Sequence, residues 1–591
     1  MKDFFKNVLA TVVGIIVFLL IAFALGLMSI VGMVASGESK QNVSNNSVLV
    51  MNLSGALEEQ SSSNLLGLIQ GNGAESVGLN DVMSALKKAK DNDRIKGIYL
   101  EANGIDASCA SLQEIRQALL DFKKAGKWIV AYGDQYSQAD YYLASAATTI
   151  YMNPHGMLDW HGLAAQPYFV KDLLKKVGIK FQVIKVGTFK SATEIYTEDK
   201  MSDANREQIT AFVQGTWDNI CKDVAASRKL TPEQLNNYAD SLAIFEPAET
   251  IVKNKLVDKL VYAEQVKKEI KKLLNLDEDD EISQVSLAEM KNVKGEKKKG
   301  EEIAVYYAFG SIVQSAGAGF MGQNEHQIVA TDVCKDLEKL MNDDDVKAVV
   351  LRVNSPGGDA YASEQIWHQI MMLKEKKPVV VSMGDYAASG GYYISCPANW
   401  IVADPNTITG SIGIFAALPD YSELTTQKLG VKFDEVKTNK NSTFGSFYAH
   451  SLTSDETEFI QKYINRGYEL FRKRVADGRK QPVEEIEKIA QGRVWLGQDA
   501  LGIHLVDQLG GLDVAIKKAA ELAKLDEYFT NEYPAAPGWE EQLFSVTNKN
   551  NYLDEQMRLM LGDLYEPFMM LKSSEDMFGL QARLPFYFTV K

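Results

Sequence analysis

The chain of 591 residues contains one long segment twice. A shift of 251 residues, the distance between Asp81 and Asp332, superposes the two copies without a gap over a long stretch. Identical residues recur at this spacing, as in the pairs Asn103/Asn354, Gly133/Gly384, Tyr141/Tyr392, Pro154/Pro405, Gly162/Gly413, Ile209/Ile460 and Arg228/Arg479. Solenoid repeats have periods of about 20–50 residues, so copies of this length predict two whole domains.

Strands and helices alternate in the same order in both copies. Apolar runs such as Val379-Val380-Val381 are typical of strands buried on both faces with helices outside them, and the alternation predicts an α/β fold. The predicted organisation is a cytoplasmic tail and transmembrane segment at 1–35, a polar tether at 36–46, a first repeat at 47–290, a charged linker at 291–302, a second repeat at 303–525 and a C-terminal extension at 526–591.

Local signals predict particular element boundaries. Apolar runs predict strands at Lys180–Val186 and Pro378–Met383. Two later helices are expected to begin at Ser202-Asp203 and at Ser454-Asp455, because serine and aspartate are good N-cap residues.

The N-terminus predicts a membrane anchor. Val8 to Ala35 is free of charged residues, whereas about 20 apolar residues are enough to cross a bilayer. The stretch is too long for the apolar part of a cleaved signal peptide, about 7–15 residues. Lys2 and Lys6 are expected to keep the short tail in the cytoplasm, because positive charge favours the cytoplasmic side. We therefore expect a single-pass protein of the inner membrane, with its catalytic part on the periplasmic side in a Gram-negative cell.

Composition narrows the classes of partner. The net charge is −15, and no basic stripe is present, so nucleic acid is not an expected partner. No metal-ligand spacing and no phosphate-binding glycine pattern occurs, so neither a metal ion nor another cofactor is expected. The cysteines are too far apart in sequence for a disulfide framework and are expected to be free thiols: Cys109, Cys221, Cys334 and Cys396.

The copies differ where chemistry is expected. Ser389 follows the predicted strand Pro378–Met383 and precedes Gly390-Gly391, whereas the first copy has Gln138-Ala139-Asp140 opposite these three residues. A serine at such a turn presents an exposed hydroxyl beside a helix N-terminus, which suits a nucleophile. Close packing of the helix is the alternative explanation of the small residues.

Two consecutive glycines follow the preceding strand of the second copy. Gly357 and Gly358, in Asn354-Ser355-Pro356-Gly357-Gly358, let the backbone turn its N–H groups toward a ligand. They are candidates for an oxyanion hole, and a plain tight turn is the alternative. The first copy has Asn103-Gly104-Ile105-Asp106-Ala107 here and lacks the pair.

Lys190 is the candidate base. It follows the predicted strand Lys180–Val186 of the first copy, and Ser442 of the second copy lies opposite it when the alignment is slipped by one residue. Burial lowers the pKa of a lysine toward neutrality and allows it to accept a serine proton. A serine in one copy and a lysine in the other suggest a dyad split between the copies. Histidine is a weaker candidate, because no histidine lies between Ser389 and His450 in the copy that carries the serine.

Five segments carry a family resemblance. They are F-K-S-A at 189–192, N-S-P-G-G at 354–358, G-D-Y-A-A-S-G-G-Y-Y at 384–393, T-G-S-I-G at 409–413 and G-R-V-W-L-G-Q-D-A at 492–500. Together they resemble the signal peptide peptidase A family (peptidase family S49), in its long, two-repeat, membrane-anchored bacterial form.

The resemblance implies a serine protease built from two tandem Clp/crotonase-like repeats. By position, Ser389 would be the nucleophile, Lys190 the general base and Ser411 the residue that orients the lysine. Gly357, Gly358 and Gly390 would form the oxyanion hole. The family further implies a homotetramer on the membrane surface whose substrates are signal peptides already released from their proteins.

Two other functions remain open from the sequence. One is an acyl-CoA hydratase or isomerase of the same fold, which uses paired N–H groups without a serine nucleophile. The other is a non-catalytic membrane-anchored scaffold. The sequence also leaves open whether Ser389 and Lys190 meet within one chain or across subunits.

Overall fold

The structure is a computed structural model that describes residues 42–61, 77–293, 295, 298–315, 326–535 and 581–583, with a few single positions before residue 22. Most of the predicted anchor and tether, and most of the C-terminal extension, lie outside the described residues. Within the described residues, no helix combines the length and apolar character needed to cross a membrane.

The first copy folds around a seven-stranded sheet whose strand pairs are all parallel. The strands of this half are β1 Ser47–Glu58, β2 Val77–Gly78, β3 Ile95–Asp106, β4 Trp128–Tyr136, β5 Thr149–Leu158, β6 Lys180–Val186, β7 Lys259–Leu260 and β8 Gln284–Ser286. The order in the sheet is β2-β1-β3-β4-β5-β7, with β8 also paired to β1, while β6 belongs to another sheet. Its helices are α1 Leu79–Asp91, α2 Cys109–Lys124, α3 Gln138–Ala144, α4 Lys171–Val177, α5 Glu194–Thr197, α6 Asp203–Arg228, α7 Pro232–Asp240, α8 Ala248–Lys253, α9 Ala263–Leu274 and α10 Leu287–Asn292.

The second copy repeats this arrangement around an eight-stranded sheet. Its strands, with the C-terminal strand, are β9 Glu301–Phe309, β10 Ser311–Val313, β11 Gln327–Val329, β12 Val346–Ser355, β13 Gly357–Asp359, β14 Val379–Ala388, β15 Trp400–Ala403, β16 Ile408–Gly410, β17 Ile414–Asp420, β18 Val494–Leu496, β19 Gln508–Leu509, β20 Tyr528–Tyr533 and β21 Gln581–Arg583. Its helices are α11 Ala330–Asn342, α12 Ala360–Lys376, α13 Gly390–Ser395, α14 Ser454–Arg479, α15 Val483–Ile489, α16 Gly497–Gly502 and α17 Leu512–Ala523. The sheet order is β18-β16-β14-β12-β9-β20, with β15 paired to β14 and β19.

Both faces of the second sheet are covered. Val349 and Val381 pack in one cluster with apolar residues of α11 and α12. Val350 and Val380 point the other way and pack against α17. All four valines are at most 1% exposed, as a strand buried on both faces requires. The predicted α/β fold is therefore confirmed, and the four cysteines are free thiols as expected.

A third sheet joins the two halves of the chain. Its order is β11-β10-β13-β21-β17-β6. Strand β6 of the first half pairs antiparallel with β17 of the second, from Val186 opposite Ile414 to Lys180 opposite Asp420. The segment after β6, which contains Lys190, is thereby carried to the second half.

The local predictions agree with the structure to different degrees. Strand β6 has the predicted bounds, and Ser202 caps α6 by accepting from the N–H of Asn205 at 3.2 Å. The second helix, α14, begins at Ser454 as predicted, but Ser454 is not its N-cap. Thr453 caps α14, since its hydroxyl accepts from the N–H of Glu456 at 3.3 Å and the Glu456 carboxylate accepts from the N–H of Thr453 at 2.8 Å.

Candidate active site

Ser389 lies at the turn between β14 and α13. Its backbone has φ 57° and ψ −114°, a positive φ that residues other than glycine seldom adopt. Its N–H donates to the carbonyl of Gly410 at 2.8 Å, which ties the turn to β16. Gly391 lies so close to β12 that an added Cβ would be 2.5 Å from the Ser355 carbonyl oxygen. A strained residue held from two sides is typical of turns that present a nucleophile.

The hydroxyl of Ser389 is not exposed, contrary to the sequence-based prediction. The residue is 0% exposed, and Nζ of Lys190 lies 2.7 Å from its Oγ. The side chain that covers the serine comes from a segment 199 residues away in sequence. The structure thus brings the predicted nucleophile and the predicted base together within one chain.

The position of Lys190 is fixed by the backbone of the preceding residue, Phe189. Phe189 donates its N–H to the Gln491 carbonyl at 2.9 Å, and Gln208 donates to the Phe189 carbonyl at 3.0 Å. Gly492 packs against the lysine, so that a Cβ added there would lie 2.7 Å from the Lys190 Cβ. The segment 492–500, which carries part of the family resemblance, therefore packs against Lys190 through Gly492.

The Nζ atom of Lys190 contacts three oxygen atoms. Besides Ser389 Oγ at 2.7 Å, these are Ser411 Oγ at 3.1 Å and the Ser411 carbonyl at 3.2 Å. The Ser411 hydroxyl in turn donates to the Gly492 carbonyl at 3.3 Å. A neutral amine has two N–H donors and one lone pair. The two Ser411 oxygens match the donors, which leaves the lone pair for the Ser389 hydroxyl.

Burial changes the acidity of this lysine. Lys190 is 1% exposed, and removal from water lowers its pKa from 10.5 to about 7. Loss of hydration disfavours the charged form of an amine. At neutral pH a large fraction of Lys190 is therefore an uncharged amine able to accept a proton.

The three candidate oxyanion glycines lie next to the serine turn. Gly357 and Gly358 begin β13 with φ values of 102° and 158°. The N–H of Gly357 donates to the hydroxyl of Ser355 at 3.1 Å. Gly390 is the first residue of α13, where the helix leaves its N–H unpaired. Ser355, which the sequence did not single out, therefore orients one of the predicted donors.

The C-terminal strand β21 lies along these glycines. It pairs antiparallel with β13, with the partners Gly357/Arg583, Gly358/Ala582 and Asp359/Gln581. On its other side, Gln581 pairs with Phe415 of β17. An extended segment of the protein's own chain thus lies between β13 and β17.

Within the described residues, no histidine takes part in the candidate dyad. All six histidines lie within the described residues, and none is hydrogen-bonded to Ser389 or Lys190. The described part of the chain also contains no group of three or more potential metal ligands. Ser442, which lies opposite Lys190 when the alignment is slipped by one residue, is exposed and does not reach the site.

Comparison with known proteins agrees with this fold. The family model described as Peptidase family S49 matches residues 121–277 and again residues 371–526. The Clp protease model matches residues 300–402. Two copies of one peptidase domain, with a Clp protease-like fold, therefore define the class as a serine protease.

Three relatives extend the match over most of the chain. "Protease 4" of Salmonella typhi is 37% identical over 507 residues, which is 83% of this chain and 80% of that protein. "Protease 4" of Haemophilus influenzae is 33% identical over 521 residues, with coverages of 85% and 83%. "Serine protease SPPA, chloroplastic" of Arabidopsis thaliana is 31% identical over 489 residues, with coverages of 82% and 70%. The chain belongs to peptidase family S49.

Proposed function

We propose that this protein is a membrane-anchored serine endopeptidase that degrades cleaved signal peptides at the inner membrane, with its catalytic part on the periplasmic side. The observation that carries the proposal is the 2.7 Å contact between Lys190 Nζ and Ser389 Oγ in a buried site. The anchor is Val8–Ala35, and the working form is a homotetramer. No metal ion or other cofactor takes part.

The proposed reaction is acyl transfer. Neutral Lys190 takes the proton of Ser389 as Oγ attacks the peptide carbonyl. The N–H groups of Gly357, Gly358 and Gly390 stabilise the oxyanion, and Gly357 must turn from Ser355 toward it. The protonated lysine then gives its proton to the leaving amine, and water hydrolyses the acyl-enzyme. Ser411 keeps Nζ aimed at Ser389 throughout.

The position of β21 supports a peptide as the substrate. Peptides commonly bind as an added strand, with affinity from main-chain bonds and specificity from alternate side-chain pockets. β21 lies in this way between β13 and β17. Phe415, which is paired with Gln581, is buried and apolar, which favours an apolar peptide such as the core of a signal peptide.

Substrate class is the direct test of the proposal. Full-length protein in detergent is incubated with a released signal peptide, with a charged peptide of equal length and with an acyl-CoA thioester. We expect cleavage of the apolar peptide alone, detected by mass spectrometry of the products. Turnover of the thioester would favour an acyl-CoA enzyme. Lack of cleavage of every apolar peptide by an intact assembly would favour a scaffold.

Removing β21 should improve peptide binding. A variant without residues 581–591 frees the edge of β13, so substrate no longer competes with a tethered strand. If the strand occupies the groove nine-tenths of the time, KM falls about 10-fold while kcat is unchanged. Steady-state kinetics with a fluorogenic apolar peptide as the substrate measures KM and kcat.

A full-length control separates strand pairing from chain length. The triple substitution Q581G/A582G/R583G weakens strand formation without shortening the chain. It should lower KM in the same direction as the truncation. An unchanged KM in both variants would show that β21 does not compete with substrate.

A further inference from the structure

A buried polar cluster joins the two repeats behind the active site. We call Glu59, Glu114, Arg352, Asn354 and Asp385 the inter-repeat cluster; the first two belong to the first repeat and the others to the second. Glu59, Glu114 and Arg352 are 6%, 4% and 1% exposed. Arg352 binds both glutamates, with Nε 3.0 Å from Glu59 and Nη2 2.6 Å from Glu114. Glu59 also accepts from the Asn354 amide at 2.9 Å.

The cluster fills an irregularity between β12 and β14. Val353 is opposite Met383 but Ser355 is opposite Ala387, so Asn354 alone faces three residues, 384–386. The Asn354 side chain replaces the missing main-chain bonds: its amide donates to Asp385 at 2.9 Å, and its carbonyl accepts from the Tyr386 N–H at 3.1 Å. Bulges next to active sites commonly re-aim a side chain.

Glu59 reaches this bulge because position 384 is a glycine. A Cβ added to Gly384 would lie 2.5 Å from Oε1 of Glu59. The carboxylate of Glu59 thus lies against the β14 backbone at the bulge. On the other side, Asp385 accepts from the N–H of Ser111 at 3.0 Å and from its hydroxyl at 2.7 Å, near the start of α2.

Both active-site segments start from the bulge. Asp385 precedes Ser389 by one short run of β14, Tyr386–Ala388, which pairs with β16. Asn354 precedes Ser355, whose hydroxyl accepts from the Gly357 N–H. A shift of the bulge therefore moves the nucleophile turn and the glycine loop together.

The cluster has no counterpart on the equivalent face of the first repeat. The residue opposite Arg352 is Glu101, and the residue opposite Glu59 is Gly310. Asn103, opposite Asn354, donates to Asn52 at 2.8 Å in an exposed pair. The cluster belongs to the repeat that carries Ser389, so the fold of a repeat does not require it.

We propose that Glu59 is a positioning residue for the active site, acting through Asn354 and Arg352 to hold the bulge from which the Ser389 turn and the Gly357–Gly358 loop begin. The inference rests on the proposed peptidase function. If Glu59 has this role, the first repeat contributes two residues to the active site of the second. Lys190 contacts Ser389, and Glu59 supports the bulge that precedes Ser389.

The test compares Glu59→Ala with Glu59→Gln in the full-length protein. A misplacement of reacting groups by about 1 Å costs about 10²-fold, so Glu59→Ala should lower kcat by about 10²-fold with KM within 2-fold. Glu59→Gln keeps an oxygen that accepts from Asn354 and should recover kcat to within about 5-fold of wild type. Acylation-burst titration of active sites corrects kcat for any unfolded protein.

Controls make the outcome decisive. Asp258→Asn, which breaks an ion pair with Arg228 outside the cluster, should leave kcat unchanged. If Glu59→Ala does not fold, Asn354→Ala replaces it and should show the same loss of kcat. Wild-type kcat per titrated site in the folded alanine variant would overturn the inference, as would equal losses in the Gln and Ala variants. Activity surviving in Ser389→Ala would instead reject the proposed function.

Discussion

Ser389→Ala and Lys190→Met should each lower kcat/KM for peptide hydrolysis by about 10⁴-fold or more, and the double variant should lose no more than either single variant. Groups that act as one unit show such non-additive losses. The serine without its base is a weak nucleophile, and the lysine without the serine has no proton to take. Initial rates on the apolar fluorogenic peptide, with the oligomeric state checked for each variant, measure the effect.

Matched substitutions outside the site distinguish chemistry from damage. Ser442→Ala removes an exposed hydroxyl one residue from the repeat position opposite Lys190, and Lys175→Met removes an exposed lysine of α4. Both should keep wild-type rates. Residual activity of Lys190→Met above about a hundredth of wild type would mean that another group is the base. Mixing the two inactive single variants tests whether sites form across subunits, since only exchange between chains would restore activity.

The sequence was informative about the repeat and about the individual candidate residues. The recurrence of identical residues at one spacing, with apolar runs between them, predicts two α/β halves because each run must be buried. Ser389 and Lys190 were named from short motifs and Ser411 from the family resemblance, and the structure brings all three together. These signals are local in sequence, so they can be recognised without knowledge of the tertiary fold.

The spatial arrangement of the two copies could not be predicted from the sequence. The pairing of β6 with β17, which carries Lys190 to Ser389, joins segments far apart in the chain, and neither strand's apolar pattern specifies its partner. The same is true of Glu59 and Arg352, 293 residues apart. The strand predicted to end at Met383 continues to Ala388. Gly384-Asp385 has the composition of a turn, but Asn354 and Glu59 hold it as a bulge.

Activity should rise with pH through a midpoint near 7. Burial lowers the pKa of Lys190 to about 7, and only the neutral amine can accept the serine proton. Below the midpoint, kcat/KM should fall about 10-fold per pH unit, and above it the rate should reach a plateau. A profile measured from pH 5 to pH 9 checks this. A rate that still rises steeply at pH 9 would show that burial does not lower the pKa enough.

The lowered pKa of Lys190 should also make the stability of the protein depend on pH. This dependence can be assigned to Lys190 by substituting the residue. A lysine in the unfolded chain is protonated below a pH of about 10.4, whereas Lys190 in the folded protein is protonated only below a pH of about 7. Between these values unfolding takes up a proton, so this group's contribution to stability rises by about 1.4 kcal/mol per pH unit. Below pH 7 both states are protonated, and the full cost of burying the charge, roughly 5 kcal/mol, persists.

The Lys190→Met variant has no titratable group at this position. Comparing its free energy of unfolding with that of the wild type therefore measures the cost of burying the charged lysine. The variant should be more stable than wild type below pH 7, with the difference shrinking steadily as the pH rises from 7 toward 10. Denaturant unfolding of the full-length protein at several pH values measures it. Ser389→Ala keeps the buried amine and should follow the wild-type pH trend, because burial rather than the serine lowers the pKa. A difference between Lys190→Met and wild type that is independent of pH would show that Lys190 is charged in the folded protein and cannot be the base at neutral pH.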